Sequence, residues 1–354
     1  AAIYGSSAPY GVIMITTKKG KPGQKPIITY NNNFGFAQPI NLPESMNSLD
    51  LANFLNEAAE NSGSAHPITD EQMQRIKDYL DGKIVSETIE NPAPGTDGWL
   101  GGNANNDWFK VLFKNVVFNQ QHNIGVSGST NKASYYLGLG YVGQKGLFQY
   151  VNDRFSRYNL RTNLSTDITD WLTVSFRGAY SRSERDDLNS AYGNWIGSPI
   201  HLLGLYKPWS PVVYPNGVRD NIFLLFEEGG RETQTNDQAI LTGEATFHLM
   251  PGWEFTTNYT FDGAYRNTSQ HMKTLYTNNV PSGQSTLWLG APNSFARSYS
   301  FNQHFTLNAF TSYEKQLEKH NFKILAGFTQ ELYNNLSVSG NNSFLYSDEL
   351  PALS

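Results

Sequence analysis

The chain has 354 residues, with 31 acidic against 26 basic side chains and a formal net charge of −5. That balance removes the strongly basic face that nucleic-acid binding requires, and the absence of cysteine removes disulfides, thiolate metal sites and cysteine nucleophiles. A mean hydropathy of −0.47, with no apolar run near the length of a membrane-crossing helix, excludes a helical membrane protein but not a β-barrel, whose walls alternate and average out.

In chain order, 25–36 alternates apolar and polar residues with period two, as a strand does. Leu51, Phe54, Leu55 and Ala58 then recur at helical spacing, with Asn47 or Ser48 able to cap and Gly63 beyond the end. A second helix is predicted from Thr69, which forms a capping box with Gln72; it carries Met73, Ile76 and Leu80 on one face and stops at Gly82. Alternation resumes in 120–129 and 133–143, where Tyr135, Leu137, Leu139 and Tyr141 oppose mostly small residues. In 154–166, Tyr158, Leu160 and Leu164 oppose Arg157, Asn159, Arg161 and Asn163. In 171–183, Leu172, Val174, Phe176 and Tyr180 oppose Thr173, Ser175 and Arg177; simple parity places Trp171 with the polar set. Segments 238–250, 300–316 and 321–335 follow the same rule less cleanly. In 253–266, Trp253, Phe255, Tyr259, Phe261 and Tyr265 oppose Glu254, Asn258, Asp262 and Arg266. The fold class is all-β, with about nine strands.

The connections alternate strictly between long and short. The long ones are 37–119, 144–153, 184–237 and 267–299; the short ones are 129–132, 167–170, 251–252 and 317–320. Outer-membrane barrels have this asymmetry of short periplasmic turns and longer outside loops. Tyr141, Tyr180 and Tyr265 stand at the long-loop ends of their strands, where an interfacial girdle belongs. Arg157, Arg161, Arg177, Glu254, Asp262 and Arg266 all fall on the polar face and are expected to face a lumen. A soluble β-sandwich also alternates, but leaves the unequal loops and the Asn-, Arg- and Glu-rich face unexplained.

The first twenty residues are more specific. Ala2-Ile3-Tyr4-Gly5-Ser6, followed by Gly11-Val12-Ile13-Met14-Ile15-Thr16-Thr17-Lys18-Lys19-Gly20, closely resembles the end of the plug domain of SusC/RagA-type TonB-dependent transporters. Asp107-Trp108-Phe109, residues 123–128 with Ser134-Tyr135-Tyr136, the 143–146 turn, and residues 154–161 with Asn163 also resemble that family. The resemblance implies a 22-stranded antiparallel transmembrane β-barrel, here its first part (25–354), preceded by the last strand of an N-terminal plug (1–24). Tyr4, Gly5, Gly11, Thr16, Thr17, Lys18, Lys19 and Gly20 carry the plug motif. The family commonly has Arg after Gly-Ser, where this chain has Ser7. The ends read as an internal piece of a longer chain.

What the resemblance implies for function is TonB-dependent import of an oligosaccharide or peptide nutrient across the outer membrane of a Bacteroidetes-type bacterium. The implied partners are a SusD-like surface lipoprotein, the TonB–ExbB–ExbD complex and outer-membrane lipid, with no cofactor and no enzyme activity. The alternative is a secreted β-rich glycan-binding protein or glycosidase. Catalytic signatures are missing from the sequence. The seven histidines are scattered without a His-Glu-x-x-His, residues 138–143 match a dinucleotide fingerprint only by letter inside a strand, and no P-loop or Gly-x-Ser-x-Gly elbow occurs. The acidic pairs Asp186-Asp187 and Glu227-Glu228 sit in long loops, where solvated charge or a calcium contact competes with a glycosidase role. Tyr192, Trp195, Tyr206, Trp209 and Trp288 are the loop aromatics able to stack on a sugar; their alternative role is packing the loops.

Overall fold

The computed structural model describes residues 23, 25–189, 192, 199–349 and 351–353. The expected plug segment and Trp195 therefore lie outside the described residues. Nine strands form one antiparallel sheet in the order β1 (Ile27–Ala37), β2 (Val117–Ser129), β3 (Ala133–Lys145), β4 (Arg154–Thr169), β5 (Leu172–Leu188), β6 (Arg231–Met250), β7 (Trp253–Met272), β10 (Ser294–Leu317) and β11 (His320–Ser343). Every neighbour in the sheet is a neighbour in sequence apart from a two-stranded ribbon, β8 (Leu275–Thr277) with β9 (Thr286–Leu289), set in the connection before β10. The nine expected strands are all present, and that ribbon adds two more among the described residues. β1 and β11 are each paired on one side only.

The turns at one end are tight. Asp170 and Trp171 join β4 to β5, Pro251 and Gly252 join β6 to β7, and Glu318 and Lys319 join β10 to β11. Gly252 has φ +82°, and a Cβ there would stand 2.2 Å from the Glu314 carbonyl oxygen, so no other residue fits without moving the backbone of β10. Register shifts occur at Asp167/Thr169 and His248/Met250, both beside these turns. The first of them overturns the parity expected for Trp171: its indole leaves the polar set and stacks on Phe247, centroids 6.1 Å apart, on the apolar side.

At the long-loop end the strands run further than expected. β5 reaches Leu188, β6 starts at Arg231, β7 reaches Met272 and β10 starts at Ser294. Here the ladder continues through residues that are polar on both faces, Ser183 to Asp187 against Glu232 to Asn236. Period-two hydropathy vanishes while the backbone pairing persists, which is why the sequence reading stops short.

The long connections fold on themselves. α1 (Ser48–Asn61) starts with Asn47 accepting from the Asp50 amide, and α2 (Asp70–Leu80) with Thr69 accepting from the Gln72 amide. Only half of the expected capping box forms, because the Gln72 side chain instead donates to the Gly102 carbonyl at 2.8 Å. Three further helices are α3 (Trp108–Leu112), α4 (Pro199–Leu205) and α5 (Asn221–Glu228). Trp108, Leu112, Tyr192, Leu203, Ile222, Phe223 and Leu225 build one buried cluster with Leu275 and Leu289 of the ribbon, and Ala52, Ile68, Ile76 and Trp209 build a second. The molecule's buried core thus lies mainly in the loop layer, while the sheet keeps large apolar side chains exposed.

Tyr192 joins that layer. Its hydroxyl donates to the Lys273 carbonyl at 2.9 Å and accepts from the Gly230 and Lys273 amides, each at 3.0 Å. Each buried backbone group left unpaired costs about 1–3 kcal/mol. Tyr192→Phe is therefore expected to speed amide exchange at Gly230 and Lys273 by tenfold or more, a loss of about 1.4 kcal/mol by the thermal-energy scale of that penalty, while the mid-sheet amides stay unchanged.

Candidate functional site

The register assigns every strand residue to one of two faces. On one, Gly138, Arg161, Ala179, Ile240, Asp262 and His304 lie in a row across β3 to β10, and Gly140, Asn159, Ser181 and Gln238 lie in the next. On the other, Leu137 is followed by Thr162, Gly178, Leu241, Phe261, Phe305 and Leu332. All six expected charges, Arg157, Arg161, Arg177, Glu254, Asp262 and Arg266, share the first face.

This polar face holds a recess of about 860 Å³, lined by Arg157, Arg161, Arg177, Asn123, Asn159, Asn163 and Tyr136 among others. Arg177 is held by Glu244 through two contacts, NH1–Oε2 at 3.2 Å and NH2–Oε1 at 2.5 Å. Arg266 donates to Asn236 at 2.9 Å, Asp262 accepts from Gln238 at 3.2 Å, and Glu254 meets His248 at 3.2 Å. Glu244, the partner of Arg177, carries no signal in the sequence, since cross-strand pairing depends on a register the hydropathy does not give.

The apolar face has a charged exception. Arg182 and Asp237 lie side by side in the row Tyr141, Tyr158, Arg182, Asp237, Tyr265. The guanidinium donates through Nε at 2.8 Å and NH2 at 3.0 Å, and the Tyr180 hydroxyl also donates to Asp237. The six charges named from the sequence keep to the polar face, but this pair, which the sequence reading did not name, does not. The pair sits in a line of tyrosines. Glycines make room for rings on both faces: Tyr136 lies over Gly138, Tyr141 over Gly143, Phe176 over Gly178 and Phe261 over Gly263.

Of the loop aromatics named from the sequence, the four within the described residues pack against protein, Tyr192 and Trp209 buried and Tyr206 and Trp288 half-buried. Tyr192 is 2% and Trp209 8% exposed, the Tyr206 ring packs at a tilt against Trp108 with centroids 4.7 Å apart, and Trp288 packs against the main loop cluster. The sequence missed the neighbouring stack of Trp99 on Tyr214, at 5.8 Å. Three of the four carboxylates in the acidic pairs are also engaged. Asp186 meets Arg231 at 3.0 Å and Arg154 at 3.5 Å, Asp187 contacts Arg185, and Glu227 contacts Arg219. Arg219 in turn lies over the Phe223 and Tyr150 rings, 4.9 and 5.3 Å from their centroids. Among the described residues no group of three or more His, Asp or Glu side chains is arranged to hold a metal.

One loop carboxylate, Asp220, is buried, and a second, Asp153, is half-buried. Asp220 caps α5, accepting from the Ile222 amide at 3.1 Å, and takes hydroxyl donations from Tyr206 at 2.6 Å and Tyr214 at 3.2 Å. Burial still outweighs these donors and holds its pKa above the ordinary value, and the same burial pushes both tyrosines up. Asp153 is likewise raised by burial, against the opposing pull of Arg231 at 3.0 Å.

No family model matches the chain. Among curated proteins it is 22% identical over 364 residues to TonB-dependent receptor P3 of Formosa agariphila, covering 98% of this chain and 31% of that protein. TonB-dependent receptor P26 of the same organism is 27% identical over 220 residues, 60% of this chain and 19% of that protein. TonB-dependent receptor SusC of Bacteroides thetaiotaomicron is 21% identical over 360 residues, 92% of this chain and 30% of that protein. The chain thus spans about a third or less of the curated relatives it matches. Among solved structures, the RagAB peptide transporter superposes with TM-score 0.70 at 20% identity, covering 95% of this chain and 38% of that one. The RagAB peptide importer in its open-open state gives 0.71 at 20% identity over 99% of this chain and 39% of that one. The resemblance to SusC/RagA-type TonB-dependent transporters read from the sequence is borne out by these relatives, and the fold by these structures.

Because the folded-state pKa of Asp153 and Asp220 lies above the unfolded value of 3.8, the folded loops hold more protons than the unfolded chain in the interval between. Their contribution to loop stability therefore rises as pH falls through the folded pKa toward 3.8 and is lost as pH climbs back. Amide protection in α5, corrected for intrinsic exchange, is expected to strengthen on acidification from neutral pH, and Asp220→Asn is expected to flatten that dependence.

Proposed function

We propose that the chain forms the first part of the wall and outer loops of a TonB-dependent importer in a bacterial outer membrane. The supporting observation is the apolar face of the sheet. Leu137, Leu139, Leu160, Leu164, Phe176 and Leu241 are exposed together on it, whereas the buried core sits in the loops. A contiguous apolar surface of this extent is not left to water in a soluble monomer. Between Phe255 near the tight turn and Tyr265 in the tyrosine row lie ten residue steps, about 33 Å of strand at roughly 3.3 Å each. Tilted by about 40°, they span about 25 Å, the height of the apolar band of an outer-membrane barrel. The Arg182–Asp237 pair then falls at the interface, where a charge costs little, about 0–1 kcal/mol.

On this reading the tight turns face the periplasm, the loop layer faces outward, and the polar face lines the lumen. Residues 1–24 are the end of the plug and 25–354 the start of the barrel. Further strands pair with β1 and β11 to close a wall of 22, since an open edge cannot persist in hydrocarbon. Arg157, Arg161, Arg177, Glu254, Asp262 and Arg266 face that lumen. A SusD-like lipoprotein caps the loop layer, TonB–ExbB–ExbD supplies the energy from the periplasmic side, and the cargo is a glycan or peptide. The work is binding and gating, without covalent chemistry.

Spin labels at Leu160 and Phe261 in the membrane-embedded protein are expected to be shielded from aqueous relaxation agents and accessible to lipid-soluble ones, with the reverse at Asn159 and Asp262. Water contact at Leu160 and Phe261 would refute the placement. Leu160→Arg should cost about 2–4 kcal/mol and reduce the amount of heat-resistant folded barrel in outer-membrane fractions.

A further inference from the structure

Near the tight turns the apolar face of the sheet carries a groove of about 370 Å³, lined by Met250, Trp253, Thr311, Tyr313, Ile324 and Ala326. That volume falls in the range of about 300–1,000 Å³ typical of small-molecule sites. The register explains its shape. Met250, Trp253, Tyr313 and Ile324 lie in one row across β6, β7, β10 and β11, and Thr311 and Ala326 lie side by side in the next row on that face, away from the turns. Large side chains thus stand beside two small ones, which leave a dent. The floor presents apolar surface although it contains a hydroxyl, because Thr311 Oγ1 donates to the Glu254 carbonyl at 2.9 Å and accepts from the Trp253 indole at 2.8 Å. The second bond also fixes the indole as one wall. Floor and walls all come from neighbouring strands of this chain, and a further strand beside β11 would extend the sheet in its plane without covering them.

Charge lies at the turn end of the groove. Two residues along β10 from Tyr313, about 7 Å toward the turn, Lys315 continues the same face opposite Phe322, and Lys319 stands in the turn itself. Glu318 is the turn's one acid; Glu314 lies on the opposite face, bound to Lys323 at 3.3 Å. The other two tight turns have no such bases: the β4–β5 end carries Asp167 and Asp170, and Pro251-Gly252 is uncharged. Trp253 and Tyr313 are the amphipathic rings that sit at headgroup depth in a membrane wall. A lysine just beyond such rings runs its stem along the wall, keeps its ammonium in water and attracts lipid phosphate. We propose that this groove seats an acyl chain of an anionic phospholipid of the periplasmic leaflet, with its phosphate headgroup held by Lys315 and Lys319. The seat rests on the membrane placement proposed above and adds a defined lipid to it.

The test is native mass spectrometry of the complete transporter, released from detergent that holds equal amounts of phosphatidylglycerol and phosphatidylethanolamine with the same acyl chains. Wild type is expected to retain phosphatidylglycerol as its first bound lipid about fivefold or more over phosphatidylethanolamine, because lysines at the surface attract anionic lipid. In the Lys315→Gln/Lys319→Gln double variant that preference should fall to about twofold or less. Ala326→Phe, which fills the groove, should reduce retention of the first lipid of either kind by about fivefold or more while the barrel keeps its heat-resistant band; Ala326→Val, which fills it less, should give an intermediate loss. Equal retention of both lipids by wild type, or a preference that survives without the two lysines, overturns the seat. Retention unchanged by filling the groove in a folded barrel overturns it too. So does a transporter dimer that forms without lipid preference and dissociates in the filled variants, which would assign the groove to a second copy of the chain. Water contact at spin-labelled Leu160 and Phe261 sinks the membrane placement and the seat together, whereas lipid-shielded labels with equal retention of both lipids sink the seat alone.

Discussion

The constraint on which everything else rests is that each strand residue belongs to a face fixed by parity and by the register of both neighbours. A slip of one residue in β4 would carry Arg157 and Arg161 onto the apolar side and bring Leu160 onto the polar one. The two register shifts stand at the tight-turn ends, after which the ladders from β3 to β10 run without interruption. Irregularity is thereby confined to places where few residues remain to be misassigned. The long, unbroken pairing is what lets a chain with modest hydropathy keep two chemically different surfaces.

The two halves of the molecule are held by different means. In the sheet, backbone hydrogen bonds and cross-strand side-chain pairs do the work, and rings lying over glycines at Gly178 and Gly263 smooth the apolar face rather than bury it. In the loop layer, ordinary burial does: Trp108, Phe223 and Leu225 are as enclosed as the core of a small soluble domain. Buried polar groups there are matched with donors and acceptors, as Tyr192 shows with three backbone partners.

Strand parity was legible in the sequence because the middle of each strand meets contrasting environments. The nine strands, the tight turns and the first two helices follow from it and from caps such as Asn47 and Thr69. Where both faces are polar, as from Ser183 to Asp187, the signal ends before the strand does. Trp171 was misplaced because parity assumes no bulge, and a bulge is a backbone event with no marker in the side chains around Asp167. α3, α4 and the β8–β9 ribbon are too short for a period to emerge. The loop rings Tyr206 and Trp209 were visible as residues, but whether a ring faces solvent or a neighbour depends on contacts between segments about a hundred residues apart, such as the Trp108 indole donating to the Lys207 carbonyl.

The extension of β5, β6, β7 and β10 beyond the tyrosine row has a mechanical consequence. It lifts the loop layer on a rim of paired strands, and that rim is cross-linked by charge: Arg231 of β6 reaches both Asp153 before β4 and Asp186 of β5. Asn293, just before β10, is tied to Asp348 beyond β11 at 2.7 Å and accepts from the Leu345 amide at 2.7 Å. A layer with its own buried core, mounted on strands and fastened at several points, presents a preformed surface. Ordering such loops on ligand arrival would otherwise cost about 1–2 kcal/mol for each residue fixed, a penalty that binding would have to overcome. On the import reading proposed above, loops ordered in advance would leave the free energy of cargo binding for recognition itself.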